Sequence, residues 1–265
     1  MTSTIHPTAV VEPGARLHDG VTVGPYCCIG AEVEIGSGAV LHAHVVVTGR
    51  TSLGNGTVVY PFASLGQPPQ HLGYRGGPAT LVIGARCTVR EYVTINSGAG
   101  AQGTHVGDDC FLMTAAHVAH DCQVGDGVVM ANQATLGGHV TVEDKAIIGG
   151  LAAVHQFARI GELAMIGGMS AIVDDVIPFG MAVGNRAQLK GLNIVGLKRN
   201  GVGRPEIHAM RAAYRRLFDG GGQLADRLEE VAASYSDSSR IQKIVAFIRA
   251  ASSRGLCRPK SLDAG

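Results

Sequence analysis

Four of the eleven histidines lie between residues 117 and 155, together with an aspartate and two adjacent glycines. In chain order, these residues are His117, His120, Asp121, Gly137, Gly138, His139 and His155. A neutral imidazole can take a proton from a hydroxyl group or an amine near pH 7, and a carboxylate beside it can orient the ring. A glycine leaves its backbone N–H open to a developing oxyanion. The set therefore contains the parts of an acyl-transfer site, with His120 as the general base and Asp121 as its partner.

Two other interpretations of the histidines stay open. Three imidazoles can bind zinc and leave one coordination position free, although no carboxylate or cysteine completes such a set in an obvious way. Histidines can also gather at exposed corners without any chemical role. No residue is therefore assigned as a metal ligand. Because no serine or cysteine stands where His120 could promote its acylation, the residues favour direct attack in a ternary complex over a covalent acyl-enzyme.

These residues come together only if the chain winds with a repeat of 18 residues, the interval between Val118, Leu136 and Val154. An aliphatic side chain occupies every sixth position from residue 5 to 65, from 83 to 95 and from 106 to 172. An α-helix cannot produce this pattern, because its apolar stripe repeats near every 3.6 residues. Period six is typical of a parallel β-helix of hexapeptides, in which three units form one triangular coil. The four histidines would then follow one outer edge within about 10 Å.

The sequence predicts an all-β solenoid followed by α-helices, in two regions. Residues 1–184 form the parallel β-helix, with outward loops near 66–82 and 96–105, where the period of six is interrupted. Residues 185–265 form a linker and a small C-terminal helical domain.

Three helices are predicted in the second region from the spacing of apolar residues. The first begins near Pro205 and ends near residue 217, and the others span about 224–233 and 239–251. The last ten residues are expected to be frayed.

The composition argues against some classes of protein. The net charge is +1, so a bulk attraction to nucleic acid is not indicated. No apolar run reaches the roughly 18 residues of a membrane span and no signal peptide opens the chain, so we expect a soluble, cytoplasmic protein. Four of the six cysteines occupy the small inward position of the repeat and are expected to be buried thiols: Cys27, Cys87, Cys110 and Cys122.

Five short motifs carry a more specific signal. They are Ala116-His117-Val118-Ala119-His120-Asp121-Cys122, Gly137-Gly138-His139, Val154-His155-Gln156-Phe157, Gly184-Asn185 and Gly191-Leu192-Asn193-Ile194-Val195-Gly196-Leu197-Lys198-Arg199. These motifs resemble the acyltransferases that carry out the first step of lipid A synthesis. The resemblance covers nearly the whole chain, and the last motif is the most specific, because many acyltransferases share the hexapeptide repeat.

The resemblance implies a left-handed β-helix that works as a homotrimer with its sites at subunit clefts. It also implies a reaction, in which a 3-hydroxyacyl chain moves from acyl carrier protein to the glucosamine 3-position of UDP-N-acetylglucosamine. No separate cofactor is implied, because the phosphopantetheine arm of the carrier protein holds the acyl chain.

The roles of individual residues follow from the same resemblance. It implies that His120 is the general base, that Asp121 is its partner, and that the Gly138 N–H holds the thioester oxygen. The residues implied to bind substrate are His117, His139 and His155 in the pocket, Gln156 at the acyl chain, Asn193 and Arg199 at the nucleotide phosphates, and Gly168 at the position that measures the acyl chain. A glycine at this last position implies a longer chain than a bulky residue would allow.

Four positions depart from the family pattern. His71 replaces an acid and Gly73 replaces a lysine in the first outward loop, while Val195 replaces a glutamate and Asn200 replaces a second arginine. These positions touch the sugar nucleotide in the family, and His71 is taken as a candidate substrate contact. The acceptor is therefore open between the common N-acetylglucosamine nucleotide and its 3-amino analogue, which would give an amide.

Basic residues of the second region predict a docking surface for the acidic carrier protein, formed by Lys190, Lys198, Arg211, Arg215 and Arg216. Complex formation should then weaken as salt is added.

Two other classes of function stay open. One is a trimeric zinc hydratase of the γ-carbonic-anhydrase type, which shares the coil and uses histidines from neighbouring subunits. The other is a structural coil, for which replacing His120 would leave function unchanged.

Overall fold

The computed structural model describes residues 2–260, and most of this length is a coil of very short strands. The strands are β1 Thr4–Ile5, β2 Val10–Val11, β3 Arg16–Leu17, β4 Thr22–Val23, β5 Cys28–Ile29, β6 Glu34–Ile35, β7 Val40–Leu41, β8 Val46–Val47, β9 Arg50–Leu53, β10 Val58–Val59, β11 Ser64–Gln67, β12 Thr80–Ile83, β13 Thr88–Val89, β14 Thr94–Asn96, β15 Thr104–Val106, β16 Phe111–Leu112, β17 His117–Val118, β18 Gln123–Val124, β19 Val129–Met130, β20 Thr135–Leu136, β21 Thr141–Val142, β22 Ile147–Ile148, β23 Ala153–Val154, β24 Arg159–Ile160, β25 Met165–Ile166, β26 Ala171–Ile172, β27 Gly180–Val183 and β28 Gln188–Leu192. The helices are α1 Ile194–Arg199, α2 Arg204–Phe218, α3 Leu224–Ser234 and α4 Ser239–Arg249.

Successive strands belong to three different sheets, so each strand pairs with a strand of the next coil. The sheets have the orders β1-β4-β7-β10-β13-β16-β19-β22-β25-β27-β28, β2-β5-β8-β11-β14-β17-β20-β23-β26 and β3-β6-β9-β12-β15-β18-β21-β24. In the second sheet, Val118 pairs with Leu136, and Leu136 pairs with Val154, both in parallel register. The predicted left-handed β-helix followed by C-terminal helices is confirmed.

The inward positions of the repeat form one continuous apolar core. The aliphatic side chains at these positions are buried in all but the first coil, as are the small residues two places before them, including the four predicted cysteines. Stability comes from this stacking, because a single coil cannot cover its own apolar side chains. In the first coil, Ile5 is 46% exposed, since it is packed from one side only.

The corners turn through residues in the left-handed backbone region, and many of them are not glycine. Asp121 and His139 have φ values of 61°, and Phe157 has a φ of 66°. The His139 N–H donates to the His120 carbonyl at 3.0 Å, and the Phe157 N–H donates to the Gly138 carbonyl at 3.0 Å. These bonds help to offset a conformational cost of about 1–2 kcal/mol per residue. They also align corner side chains from successive coils in one column.

Two insertions leave the coil at the predicted positions and are joined to each other. The first lies between β11 and β12, and the second lies between β14 and β15, both at the corner that follows the second sheet. Thr80 and Gly98 exchange two backbone hydrogen bonds of 2.9 Å. The Ser97 N–H donates to the Gln67 carbonyl at 2.9 Å. The two loops therefore form one unit on the coil.

The three predicted C-terminal helices are found as α2, α3 and α4. The segment before them, expected to be a linker, also contains β28 and α1, which the sequence did not indicate. β28 depends on antiparallel pairing with β27, and α1 is too short to give a clear helical period. The boundary expected after residue 184 lies between these two paired strands.

The C-terminal tail packs on the last coil. Leu256 forms a β-bridge with Asp175, and Cys257 is buried. The Cys257 N–H donates to the Asp175 carbonyl at 2.8 Å. The prediction of a frayed end is therefore wrong for these tail residues, because their backbone pairs with the solenoid. The rest of that prediction, residues 261–265, falls outside the described residues.

Candidate active site

The candidate histidines lie on the second sheet and at the corner that follows it. His117 is part of β17, and His155 follows β23 directly. His120 and His139 occupy equivalent corners after β17 and β20, one coil apart. The two outward loops leave the coil at this same corner. The structure thus brings residues from three successive coils and two insertions to one ridge of the solenoid.

A hydrogen-bonded imidazole–carboxylate pair is the centre of this ridge. The His120 Nδ1 lies 2.8 Å from the Asp121 Oδ2. The side chains of His120 and Asp121 are only 14% and 10% exposed, so little water competes for this bond. Because a carboxylate only accepts, the ring proton is on Nδ1 and the Nε2 lone pair is left free. His120 is therefore set up to accept a proton through Nε2.

Asp121 is held by the second outward loop. The Gly100 N–H donates to its Oδ1 at 2.6 Å, and its own backbone N–H donates to the Thr104 Oγ1 at 2.8 Å. Burial acts to raise the pKa of the Asp121 carboxyl, but the hydrogen bonds from His120 and Gly100, with nearby histidine charge, outweigh it and lower that pKa. The carboxylate consequently stays ionised at neutral pH and keeps one orientation.

Gly138 lies directly against the ring of His120. A Cβ atom at this position would be 2.7 Å from both the Cε1 and the Nε2 of His120, which no side chain could occupy without moving the ring. Within residues 2–260, the Gly138 N–H has no hydrogen-bond acceptor, although this residue is buried. Buried N–H groups are almost always paired. A free donor beside the basic nitrogen is what a developing oxyanion requires.

Two rings flank His120, and a third stacks on one of them. The centroids of His71 and His139 lie 5.6 Å and 5.1 Å from that of His120. Phe157 stacks on His139 with a centroid distance of 4.7 Å and an interplanar angle of 4°. His71 comes from the first outward loop, so this loop closes over the histidine pair. The stacking fixes the plane of His139 at the outer side of the site.

The same residues raise the question of a metal site. The possible ligand atoms of His120, Asp121 and His139 all lie within 4.8 Å of one another. However, the His120 Nδ1 bonds to Asp121, whose other oxygen already accepts the Gly100 N–H. The His120 Nδ1 and the Asp121 Oδ2 are thus already bonded to each other, while the His139 Nε2 lies 3.9 Å from the Asp121 Oδ2. The geometry thus favours an acid–base pair over a metal centre.

His117 and His155 have partners of their own. The His117 Nδ1 lies 2.7 Å from the Thr94 Oγ1, and burial lowers the pKa of its imidazole. The His155 Nδ1 lies 2.6 Å from Arg254 Nη2, and the Arg254 Nε donates to the Gln156 carbonyl at 2.9 Å. His117 therefore sits within the sheet, whereas His155 and Gln156 form an exposed part of the ridge next to the C-terminal tail.

The structure does not bring the predicted phosphate-binding residues to His120 within this one chain. Asn193 caps α1: its Oδ1 accepts the Gly196 N–H at 2.9 Å, and its Nδ2 donates to the Leu163 carbonyl at 2.9 Å. Arg199 is exposed at the last turn of the same helix. Gly168 is exposed, and a Cβ there would lie 3.2 Å from the Gly150 carbonyl oxygen. Asn193 therefore acts here as the cap of the helix that carries Arg199.

Sequence reasoning missed several residues that support the site. Gly100 and Thr104 hold Asp121, Phe157 stacks on His139, and Arg254 contacts His155. Phe157 could have been found, because it is 18 residues after His139 and occupies the equivalent corner. Gly100 lies in an insertion and Arg254 in the tail, where the period of six gives no position, whereas Thr104 begins β15 at an inward position of the repeat.

A β-helix of hexapeptides with an imidazole–carboxylate pair and a free amide at one corner defines an acyltransferase of the hexapeptide-repeat class. Two family profiles agree with this class. Residues 103–138 match a profile described as "Bacterial transferase hexapeptide (six repeats)". Residues 175–257 match one described as "Udp N-acetylglucosamine O-acyltransferase; Domain 2".

Curated proteins and solved structures are similar over almost the full length. A protein of Azorhizobium caulinodans named acyl-[acyl-carrier-protein]–UDP-N-acetylglucosamine O-acyltransferase is 55% identical over 257 residues, 96% of this chain and 95% of that protein. One of the same name from Bartonella quintana is 51% identical over 261 residues, 98% of this chain and 95% of that protein. The chain belongs to this family of acyltransferases.

Solved structures of the family have the same architecture. The UDP-N-acetylglucosamine O-acyltransferase from Moraxella catarrhalis is 39% identical, with a TM-score of 0.92 over 96% of this chain and 99% of that one. The enzyme from Campylobacter jejuni is 36% identical, with a TM-score of 0.91 over 97% of this chain and 100% of that one. The similarity therefore includes the solenoid and the helical region together.

Proposed function

We propose that this protein transfers a 3-hydroxyacyl chain from acyl carrier protein to the 3-hydroxyl of the glucosamine in UDP-N-acetylglucosamine, the first step of lipid A synthesis. Membership of the family and its printed activity support this assignment. The observation that carries it is the geometry of His120, with Nδ1 bonded to Asp121 and Nε2 beside Gly138.

The reaction follows from the tautomer of His120. Its free Nε2 takes the proton of the sugar hydroxyl as the oxygen attacks the thioester carbonyl carbon. The carbonyl oxygen becomes an oxyanion, to which the Gly138 N–H can donate. The tetrahedral intermediate then collapses, the carbon–sulfur bond breaks, and the imidazolium returns the proton to the departing pantetheine sulfur. Asp121 stabilises the imidazolium in between without itself being protonated.

Both substrates are expected to be bound before the chemical step. The core cysteine nearest the pair, Cys122, is buried, and burial raises the pKa of its thiol to about 12. Such a thiol is a poor nucleophile at neutral pH, because the thiolate is the reactive form. This supports direct transfer in a ternary complex rather than an acyl-enzyme on this cysteine.

A homotrimer is part of the proposal. Arg199 and His120 make no contact with each other within the described chain, and we propose that a nucleotide bound at both lies between copies. Four stacked rings, Tyr26, His44, Phe62 and Tyr92, have centroid distances between 4.9 and 5.1 Å along another exposed corner. Exposed aromatic surface of this kind supports self-association.

We propose that the carrier protein docks at a cavity of about 340 Å³ between β28 and α2. The side chains of Lys190, Arg211 and Arg215 line it, together with Tyr214. Arg216, included in the predicted surface, instead forms an ion pair with Glu230. A cluster of basic side chains suits the acidic surface expected of the carrier protein. This narrows the proposed docking surface to the cavity and its rim.

The proposed location is the cytoplasm. None of the helices in the part of the chain that the structure describes could span a bilayer, judged by length and apolar character. The carrier protein and the nucleotide sugar named for the relatives are both water-soluble substrates, which agrees with this location.

A mass-spectrometric assay tests the proposed function. Purified protein would be incubated with a panel of 3-hydroxyacyl carrier proteins and either UDP-N-acetylglucosamine or its 3-amino analogue. Formation of an ester on UDP-N-acetylglucosamine supports the proposal. Formation of only an amide, on the 3-amino analogue, would show that the analogue is the acceptor instead. Activity that is lost on chelation together with stoichiometric zinc would contradict the mechanism and favour a zinc enzyme.

A further inference from the structure

Arg254, in the C-terminal tail, contacts two residues at the edge of the candidate site. The Arg254 Nη2 lies 2.6 Å from the Nδ1 of His155, and its Nε donates to the Gln156 carbonyl at 2.9 Å. These two bonds use the fork of one guanidinium group on two consecutive residues, which restricts its orientation. Arg254 is itself half-buried.

The tail is anchored to Asp175 by hydrogen bonds on either side of Leu256, so this contact is not a chance approach of a loose end. The Asp175 N–H donates to the Gly255 carbonyl at 2.8 Å, and the Cys257 N–H donates to the Asp175 carbonyl at 2.8 Å. The Asp175 carboxylate is buried and accepts the Arg159 Nε at 2.7 Å. A Cβ at Gly255 would lie 2.8 Å from the Asp174 Oδ1, so the backbone passes close to the coil.

Two groups face the His155 Nδ1: the Arg254 Nη2 at 2.6 Å and the Gln156 carbonyl oxygen at 3.3 Å. The much shorter contact with Arg254 sets the tautomer of His155. A guanidinium group has only donors, so the nitrogen that faces it must accept. The His155 Nδ1 therefore carries a lone pair, and the ring proton is on Nε2. This is the reverse of His120, whose Nδ1 donates to a carboxylate and whose Nε2 is free. One ridge thus holds two imidazoles in opposite states, one an acceptor and the other a donor at Nε2.

We propose that Arg254 is a positioning residue that keeps His155 in the Nε2–H tautomer, so that His155 donates a hydrogen bond to an acceptor oxygen of the bound substrate. The substrate part of this inference depends on the proposed function. The tautomer part does not, because it concerns the free protein.

The first experiment measures the tautomer directly. The full-length protein, labelled with ¹⁵N-histidine, would be studied by long-range ¹H–¹⁵N correlation at neutral pH, with His155 assigned from the His155→Gln variant. We expect a pyridine-type Nδ1 and a pyrrole-type Nε2 in the native protein. Arg254→Met should convert His155 to a mixture of tautomers, whereas Arg254→Lys, which keeps a donor, should retain the native signature.

Arg258→Met is the matched control, because Arg258 lies in the same tail and is exposed. It should leave the His155 signals unchanged. A proton on Nδ1 in the native protein, or native signals in Arg254→Met, would overturn the proposal. Because no substrate is present, this result stands whether or not the proposed reaction is correct.

The second experiment measures the consequence for catalysis. Arg254→Met should lower kcat/KM by roughly 3- to 10-fold, the effect of one lost hydrogen bond. A glutamine at position 155 places its amide N–H near the original Nε2 without help from Arg254. The same Arg254→Met change should therefore cost much less in the His155→Gln background. Equal losses in both backgrounds, with unchanged Tm, would refute the role of His155 as the donor that Arg254 controls.

Discussion

His120 and Asp121 are consecutive in the chain, yet the Nδ1 of the first lies 2.8 Å from the Oδ2 of the second. In a flat strand, consecutive side chains point to opposite faces of the sheet. Here the φ of 61° at Asp121 turns the corner and brings the carboxylate back to the ring. The corner of the coil thus builds an acid–base pair from two neighbouring residues.

Asp121→Asn is expected to lower kcat by about 10²–10⁴-fold with little change in fold. The new amide can donate to Nδ1 and so move the ring proton to Nε2, where the base needs a lone pair. The measurement is kcat at saturating substrates, with circular dichroism as a check on folding. Asp126→Asn, at an exposed corner, is the control. A kcat within twofold of the native value would show that Asp121 is not needed to orient or stabilise His120 in catalysis.

Gly138→Ala is expected to reduce kcat by about 10²-fold, the scale of effect seen when a reacting group is displaced by about 1 Å. The added Cβ would meet the His120 ring at 2.7 Å and push it from its position. Gly221→Ala provides the control, because a Cβ at Gly221 has no atom within 4 Å. Native turnover in Gly138→Ala would show that the glycine is not needed beside the base.

The double change Arg211→Gln and Arg215→Gln is expected to raise KM for the carrier protein roughly tenfold at low salt. It should also flatten the salt dependence of transfer, because fewer charge pairs remain to be screened. Arg216→Gln is the control and should have a smaller effect, since Arg216 is paired with Glu230. Transfer by the native protein that is insensitive to salt at low carrier concentration would argue against this surface.

His117 is expected to make the fold sensitive to acid. Burial lowers the pKa of its imidazole, so the folded protein binds this proton less readily than the unfolded chain. The stability that it contributes is present above the unfolded pKa, about 6.5, and is lost as the pH falls through the lower folded pKa.

The test compares Tm at about pH 7.5 and about pH 5. The glutamine of His117→Gln cannot titrate, so the Tm of this variant should fall less between these two pH values than the Tm of the native protein. His105→Gln is the control, because His105 is exposed. An equal loss of Tm in His117→Gln and the native protein would contradict the burial argument.

The solenoid could be predicted in detail because its core repeats. Successive buried aliphatic residues are six positions apart in the sequence within each uninterrupted run. This interval fixes which residues share a face, including Val118, Leu136 and Val154. Helices α2 to α4 were equally clear, since their apolar stripes follow the helical period. Both patterns are local and regular, which is what sequence reasoning can detect.

The supporting contacts of the site could not be predicted in the same way. Gly100 reaches Asp121 from an insertion, and Arg254 reaches His155 from a tail almost one hundred residues further along the chain. Neither segment has a period that relates it to the coil. Their positions depend on tertiary contacts, such as the bridge between Leu256 and Asp175. Such contacts leave no regular signal in a single sequence.

The transfer rate of His120→Gln tests the central claim most directly. Single-turnover transfer from a 3-hydroxyacyl carrier protein to UDP-N-acetylglucosamine would be followed by mass spectrometry in the native protein and in this variant. Glutamine is close to histidine in size and keeps a polar group near the original Nε2 but supplies no base, so the rate should fall by about 10²–10⁴-fold while Tm stays close to native. A variant that turns over at the native rate would contradict general-base catalysis by His120.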